Sequence, residues 1–218
     1  MNKIRNSFFP GGLYGITPEW NDMHLLISSI QKAAKSGMTA LQFRKKTNNK
    51  HKFIEQAREI LAICQDLNIT LIINDDWEIA LEIGADGVHV GETDTSVSYI
   101  QSQTNSNFLI GASCYNSLEL LTSMIKRKVS YVGIGSIFLS STKPNASKAS
   151  LNHLKQVYKL IKNYQSRPSI VAIGGINCNN ARQVVESGAD NIAVMAGLFK
   201  TPNIEVSARF YANLFKKI

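Results

Sequence analysis

Two cations and an amide lie at the end of an apolar, strand-like run near the start of the chain. Gln42, Arg44 and Lys46 are spaced two apart, so their side chains point to one side if the strand persists through them. Arg44 can hold two phosphate oxygens in a fork while Lys46 adds a compact positive charge, which suits a pyrophosphate better than a lone carboxylate. The alternative interpretation is a solvated strand end that also exposes Lys45.

Acidic side chains stand at the ends of the next two apolar runs. Asn74 and Asp75 close the run TLIIND, and Asp94 follows GVHVG one strand later. Two carboxylates on adjacent strand ends match magnesium, which takes few protein ligands and keeps water and phosphate oxygens. Asp75 taken alone would more often cap the helix that follows, whereas the pair favours a metal site.

Three later loops have compositions that suit phosphate. The first, residues 136–146, offers consecutive hydroxyl groups and then a cation, in Ser140, Ser141, Thr142 and Lys143. The other two carry Gly174 and Gly175 after IVAI, and Ala196 and Gly197 after IAVM, and glycine lets a phosphate approach backbone amides closely. The alternatives are an exposed serine- and threonine-rich loop and two tight strand exits.

These residues need a scaffold that gathers strand ends, and the hydrophobic pattern predicts one. Strands are predicted near residues 12–16, 38–44, 69–73, 86–90, 108–112, 129–134, 168–173 and 190–195. Helical periodicity covers residues 22–36, 50–67, 116–128, 150–163, 177–187 and 203–216, with short helices after the third and fourth strands. About eight βα units predict a single (βα)8 TIM barrel over residues 1–218, with its active site at the carboxyl ends of the strands. A doubly wound open sheet is the alternative, but no GxGxxG follows the first strand.

A sequence pattern that recurs four times supports this count of βα units. The segments SGMTALQF, IGADGVHV, KVSYVGIG and SGADNIAV each pass from a helix end through a small or polar step into an apolar strand, at the even-numbered strands. Gly37, Gly84 and Gly188 in these segments suit the left-handed residue that ends a helix.

Composition limits the class of protein. A chain of 218 residues with 44% apolar residues can bury a full core, and no apolar run approaches the roughly 20 residues of a membrane span. The net charge of +8 is spread along the chain, so we expect anionic small molecules as partners rather than nucleic acid. Cys64, Cys114 and Cys178 lack a CxxC spacing and are expected to be reduced thiols in a cytoplasmic protein that could form a homo-oligomer.

From residue 12 to residue 199 the chain resembles the thiamine phosphate synthase family. The matching pieces are GLYGIT at 12–17, QFRKK at 42–46, ND at 74–75, GADGVHVGETD at 84–94, IGAS at 110–113, STKPNA at 141–146, AIGGI at 172–176 and AVMAGLF at 193–199. The resemblance implies a (βα)8 barrel that joins 4-amino-2-methyl-5-hydroxymethylpyrimidine pyrophosphate to 4-methyl-5-(2-phosphoethyl)thiazole, with magnesium as the metal.

The resemblance also implies residue roles. The pyrimidine pyrophosphate would be held by Gln42, Phe43, Arg44, Lys45, Lys46, Asn74, Ser113 and Lys143, of which Arg44, Ser113 and Lys143 would serve the chemical step. Asp75 and Asp94 would bind the metal. The thiazole phosphate would meet Ser140, Ser141, Thr142, Gly175, Met195 and Ala196.

Some features depart from this pattern or stay outside it. Glu92 stands where the family usually has glutamine, and Ala196 replaces a usual serine but keeps its backbone amide. His89 lies inside an apolar strand and is interpreted as a packed barrel residue rather than a ligand. Two other functions are considered: a thiazole tautomerase of similar fold, and a non-catalytic barrel that binds phosphate metabolites or nucleic acid through its positive charge.

Overall fold

Eight parallel strands form a closed barrel, with helices between them along the chain. The computed structural model describes residues 8–139 and 148–216. The strands are β1 Gly12–Ile16, β2 Met38–Phe43, β3 Thr70–Asn74, β4 Gly87–Val90, β5 Leu109–Tyr115, β6 Tyr131–Gly135, β7 Ser169–Ile173 and β8 Asn191–Val194. The helices are α1 Met23–Lys35, α2 Lys50–Asp66, α3 Trp77–Ile83, α4 Val97–Gln103, α5 Leu118–Lys126, α6 Leu151–Ile161, α7 Ala181–Glu186, α8 Ala196–Phe199 and α9 Ile204–Asn213. Each strand pairs with the next and β8 closes on β1, which confirms the predicted (βα)8 TIM barrel.

The predicted strands begin and end within two residues of the observed ones, except at the end of β5. That strand continues to Tyr115 rather than stopping at residue 112, so Ser113 lies inside the strand. Helix α7 starts later than predicted because the Asn180 carboxamide accepts a hydrogen bond from the Asn177 backbone and holds a turn there. Helix α8, a single turn that begins at Ala196, was not predicted from the sequence.

The apolar side chains separate into two layers. The smaller cluster fills the barrel and comprises Phe9, Tyr14, Ile16, Ala40, Ile72, Leu109, Tyr131, Val171 and Ala193. The larger cluster lies between the strands and the surrounding helices. Neighbouring residues along a strand therefore enter different layers, as the two-residue period of a strand requires.

The recurring sequence pattern before the even-numbered strands corresponds to a recurring set of hydrogen bonds before β4 and β8. The backbone N–H of Asp86 donates to the carbonyl of Leu71 (3.0 Å), and its carboxylate accepts from the Leu71 N–H (2.8 Å). Asp190 makes the same two contacts with Ile170, at 2.9 and 2.8 Å. Arg167 donates two further hydrogen bonds to Asp190, at 2.5 and 2.7 Å. The polar step before β4 and before β8 thus ties each strand to the preceding one.

The helices end as their sequence signals predict. Gly37, Gly84 and Gly188 have φ angles of 107°, 77° and 101°. Residues other than glycine rarely adopt a backbone conformation with such a positive φ. No helix within residues 8–139 and 148–216 is long and apolar enough to cross a membrane.

Candidate active site

A cleft of about 310 Å³ opens at the carboxyl ends of β2 and β3. Among the residues that line it are Arg44, Lys45, Lys46, Asn74 and Asp75. The barrel therefore brings the cations that follow one strand and the amide and acid of the next strand to a single cavity. The cleft thus contains part of the predicted set, with one of the two predicted metal ligands; Asp94, Gln42 and Ser113 are not among the residues that line it.

Thr17, directly after β1, fixes the backbone of Arg44. Its buried hydroxyl accepts a hydrogen bond from the Arg44 N–H (2.9 Å) and donates one to the Arg44 carbonyl (3.0 Å). Its own N–H donates to the carbonyl of Gln42 (3.0 Å). This role of Thr17 was not predicted, although Thr17 is the last residue of the GLYGIT segment.

The guanidinium of Arg44 is already paired. Its Nη1 donates to Oε1 of Glu19 at 2.5 Å, with the Arg44 side chain 19% exposed and that of Glu19 44% exposed. Glu19 was not predicted as a site residue. It places a negative charge beside the cation expected to hold phosphate oxygens.

Alternation along β2 separates Gln42 from Phe43. Gln42 is 4% exposed and its Nε2 donates to the hydroxyl of Tyr14 inside the barrel (3.0 Å). Phe43 turns to the outer layer and stacks on Phe53 of α2, with ring centroids 5.0 Å apart. The side chain of Phe43 is thus not brought together with that of Gln42.

Asp75 and the next residue, Asp76, have different roles. The Asp76 carboxylate caps α3 by accepting from the N–H of Ile79 (2.9 Å), so the capping role considered for Asp75 belongs to its neighbour. Asp75 has a φ of 66°, a costly conformation for a residue with a side chain, and its N–H donates to the carbonyl of His89 (2.8 Å). Backbone strain of this kind occurs at functional positions, although Asn68, Tyr115 and Lys128 also have positive φ angles in this chain.

Asp94 holds the loop that follows β4. Its Oδ2 accepts a hydrogen bond from the N–H of Gly91 at 2.6 Å. Within the described part of the chain, no group of three or more His, Cys, Asp or Glu side chains is arranged to hold a metal ion. Magnesium is commonly held by one or two carboxylates together with substrate phosphates, so the oxygen donors of Asp75 and Asp94 fit that ion.

A second group of polar side chains crosses the interior of the barrel. The hydroxyl groups of Tyr14 and Tyr131 lie 2.9 Å apart, and the Tyr131 hydroxyl lies 3.1 Å from Nδ1 of His89. Nε2 of His89 lies 2.9 Å from Oγ of Ser113. Gln42 also donates to the Tyr14 hydroxyl, so the predicted site residues Gln42 and Ser113 are connected by hydrogen bonds. The three residues between them, Tyr14, Tyr131 and His89, were not predicted as site residues.

Packing holds the middle of this group in place. The Tyr131 ring stacks on Phe9 (centroids 4.1 Å apart) and on His89 (5.5 Å), which agrees with the interpretation of His89 as a packed barrel residue. A side chain at position 111 would overlap the Tyr131 ring, so Gly111 makes room for it. Burial raises the pKa of both Tyr14 and Tyr131, so each is a neutral phenol with one hydrogen to donate at physiological pH.

The loops after β7 and β8 are shaped by glycine and by the short helix α8. Gly175 has a φ of 61°, and a side chain there would collide with the backbone of Leu139. Met195 occupies the position before α8, without a side-chain capping hydrogen bond, and packs against the apolar cluster inside the barrel, while Ala196 begins the helix. Gly175, Met195 and Ala196 thus follow the last two strands, as predicted. Ser140, Ser141, Thr142 and Lys143 lie outside the described residues.

Comparison with known sequences identifies the family. A family model described as thiamine monophosphate synthase matches residues 13–198, most of the chain. The chain belongs to the thiamine monophosphate synthase family. This membership confirms the resemblance found in the sequence. The matched residues end within α8, so the match includes all eight strands except the first residue of β1.

Curated relatives within the thiamine monophosphate synthase family match nearly the whole chain. The thiamine-phosphate synthase of Bordetella bronchiseptica is 41% identical over 208 residues, which cover 95% of this chain and 96% of that protein. The thiamine-phosphate synthase of Bordetella avium is 40% identical over 216 residues, covering 99% and 98% of the two chains. Among solved structures, thiamine phosphate pyrophosphorylase from Pyrococcus furiosus superimposes with a TM-score of 0.81 at 28% identity, covering 98% of each chain.

Proposed function

We propose that this protein is a transferase that joins 4-amino-2-methyl-5-hydroxymethylpyrimidine pyrophosphate to 4-methyl-5-(2-phosphoethyl)thiazole, giving thiamine phosphate and pyrophosphate. Family membership over residues 13–198 supports this activity. The observation that carries it is the convergence of Arg44, Lys46, Asn74 and Asp75 on one cleft, because a pyrophosphate needs cations and metal-binding oxygens together. The chain would act as one catalytic domain.

The chemical step is the departure of pyrophosphate from the pyrimidinylmethyl carbon. Negative charge grows on the leaving group, and Arg44 and Lys46 at the cleft would stabilise it, with Lys143 as a third cation. The pyrimidine amino group donates electrons to the cation that is left, so no protein nucleophile is required. Ser113, at the inner face of β5, would bind the pyrimidine substrate.

Asp75 and Asp94 would hold the divalent ion, for which we propose magnesium. Bound there, the ion would neutralise part of the pyrophosphate charge. Asp75 would bind the ion from the end of β3, where its φ angle is positive. Asp94 would bind it from the loop after β4, where its carboxylate also accepts the hydrogen bond from Gly91. Asn74, beside Asp75 at the cleft, would donate hydrogen bonds to the same phosphates.

The thiazole phosphate would bind at the ends of β7 and β8. Backbone amides near Gly175 and Ala196 would donate to its phosphate, and Met195 would contact its ring, with Ser140, Ser141 and Thr142 adding hydroxyl donors. Two substrates fixed in one pocket raise their effective concentration, so the thiazole nitrogen attacks before water does.

One assay tests the function. Purified protein is given both substrates with magnesium, and thiamine phosphate and pyrophosphate are measured; formation of both in equal amounts is expected, with none after chelation by EDTA. Isomerisation of the thiazole without condensation would support the tautomerase instead. Binding without turnover would support the non-catalytic barrel. Cytoplasmic location and a homo-oligomeric state stay predictions.

A further inference from the structure

A continuous chain of hydrogen bonds runs across the barrel interior. It begins at Gln42, passes through the hydroxyl groups of Tyr14 and Tyr131 and the imidazole of His89, and ends at Ser113, with distances of 3.0, 2.9, 3.1 and 2.9 Å. The two ends are residues that the family resemblance assigns to the pyrimidine pyrophosphate substrate. Tyr14, Tyr131 and His89 in the middle have no part in the proposed function so far.

If Gln42 sets the polarity of this chain, each of its bonds has one direction. Gln42 donates through Nε2 to the Tyr14 hydroxyl, and in this polarity Tyr14 places its own hydrogen on Tyr131. Tyr131 then donates to its second partner, Nδ1 of His89. A histidine that accepts at Nδ1 carries its hydrogen on Nε2, which therefore donates to Oγ of Ser113.

The consequence is a fixed hydrogen-bonding character at each end. Gln42 uses its amide nitrogen on Tyr14 and keeps its carbonyl oxygen as an acceptor. Ser113 accepts from His89 and keeps its hydroxyl hydrogen for another acceptor. An aminopyrimidine offers an amino donor and ring-nitrogen acceptors, which is the complementary pattern. Reversal of the chain would turn the Gln42 oxygen toward Tyr14 and the Ser113 hydrogen toward His89, and both matches would be lost.

We propose that Tyr14, Tyr131 and His89 are positioning residues that hold Gln42 as an acceptor and Ser113 as a donor toward the aminopyrimidine ring, an inference that rests on the proposed function. The burial of the two tyrosines and the stacking of Tyr131 between Phe9 and His89 keep this array from rotating. The pyrophosphate half of the substrate would lie with Arg44 and Lys46, whose side chains are not members of the array.

The tautomer of His89 provides the first test. The chain has four histidines, so a nitrogen-15 NMR spectrum of the histidine-labelled protein is readily resolved, and the His89→Gln variant assigns the signal. We expect His89 to carry its hydrogen on Nε2 in the ligand-free wild type. In Tyr131→Phe the donor to Nδ1 is gone, so a mixture of tautomers should appear. A wild-type His89 with its hydrogen on Nδ1 would overturn the proposed polarity.

Ligand binding provides the second test. The probes are the unreactive alcohol 4-amino-5-hydroxymethyl-2-methylpyrimidine and inorganic pyrophosphate with magnesium, each titrated by calorimetry. Tyr131→Phe keeps the stacked ring, and we expect about fivefold to tenfold weaker binding of the alcohol, the effect of one mispositioned hydrogen bond. Pyrophosphate binding should not change. Tyr164→Phe, which removes an exposed hydroxyl, is the matched control and should leave both affinities at their wild-type values.

His89→Gln is a second variant, because its amide nitrogen can still donate toward Ser113. It should bind the alcohol more tightly than His89→Leu, which cannot. Equal weakening of both probes in Tyr131→Phe, or no difference between glutamine and leucine at position 89, would reduce the array to a structural role. Failure of the wild type to form thiamine phosphate would instead refute the proposed function, whatever tautomer His89 has.

Discussion

Nη1 of Arg44 lies 2.5 Å from Oε1 of Glu19, so the cation predicted to bind phosphate is paired with a carboxylate. The two residues are 25 positions apart in sequence and meet because β1 and β2 are neighbours in the barrel. A pyrophosphate that binds Arg44 must therefore share it with Glu19 or displace Glu19.

Glu19→Gln should increase the affinity for pyrophosphate about twofold to fivefold, the range expected for one partly exposed ion pair. The substitution keeps the size of the side chain but removes the charge that competes for Arg44. Calorimetric titration with pyrophosphate and magnesium measures the effect. Glu82→Gln breaks the comparable surface pair with Arg58 and serves as the matched control, with no change expected. Weaker binding in Glu19→Gln would mean that Glu19 orients the guanidinium rather than competing for it.

Arg44→Ala should lower the rate of the chemical step by about a hundredfold or more, as expected when one charge-stabilising donor to a leaving group is removed. Lys143→Ala should have a similar effect. Single-turnover formation of thiamine phosphate separates this step from product release. Arg58→Ala, which loses an exposed arginine on α2, should react at the wild-type rate. Rates near that of the wild type in Arg44→Ala and Lys143→Ala would refute the proposed pyrophosphate site.

The double variant Asp75→Asn and Asp94→Asn should lose both activity and the response to magnesium, because neutral amides are poor ligands for this ion. The measurement is product formation as a function of magnesium concentration. Asp66→Asn removes the same kind of charge at the exposed end of α2 and should leave the titration curve unchanged. An unaltered magnesium curve in the double variant would show that other groups bind the metal.

The buried thiols predict a loss of stability at alkaline pH. Burial raises the pKa of Cys64 and of Cys114 to about 12, whereas the unperturbed value is 9.0. Because the folded state holds these protons more tightly than the unfolded state, their contribution is complete below about pH 9 and is lost as the pH rises toward 12. The free energy of unfolding in urea should therefore fall between about pH 9 and pH 12. The variant Cys64→Ala with Cys114→Ala should show a shallower fall, and an equal fall would contradict this account.

The sequence predicted the scaffold because local patterns determine it. A strand such as TLIIN and a helix stop such as Gly84 are recognisable without any knowledge of distant residues. The grouping of Arg44, Lys46, Asn74 and Asp75 was also predictable, because consecutive parallel strands place their carboxyl ends side by side.

The supporting residues were not predictable in the same way. Thr17 and Glu19 act on Arg44 from the neighbouring strand end, and nothing in their own segment distinguishes them from ordinary polar residues. Tyr14 and Tyr131 are 117 positions apart and read as apolar core residues, yet their hydroxyl groups meet inside the barrel.

The sequence by itself therefore determined the order of the elements, the position of each polar strand end and the family. The tertiary structure decided which hydroxyl faces which imidazole and which acid pairs with Arg44. The physical reason is the distance along the chain over which each feature is determined. The hydrophobic period of a strand or helix is set by a few neighbouring residues, whereas a hydrogen bond inside a closed barrel depends on the register of all eight strands at once.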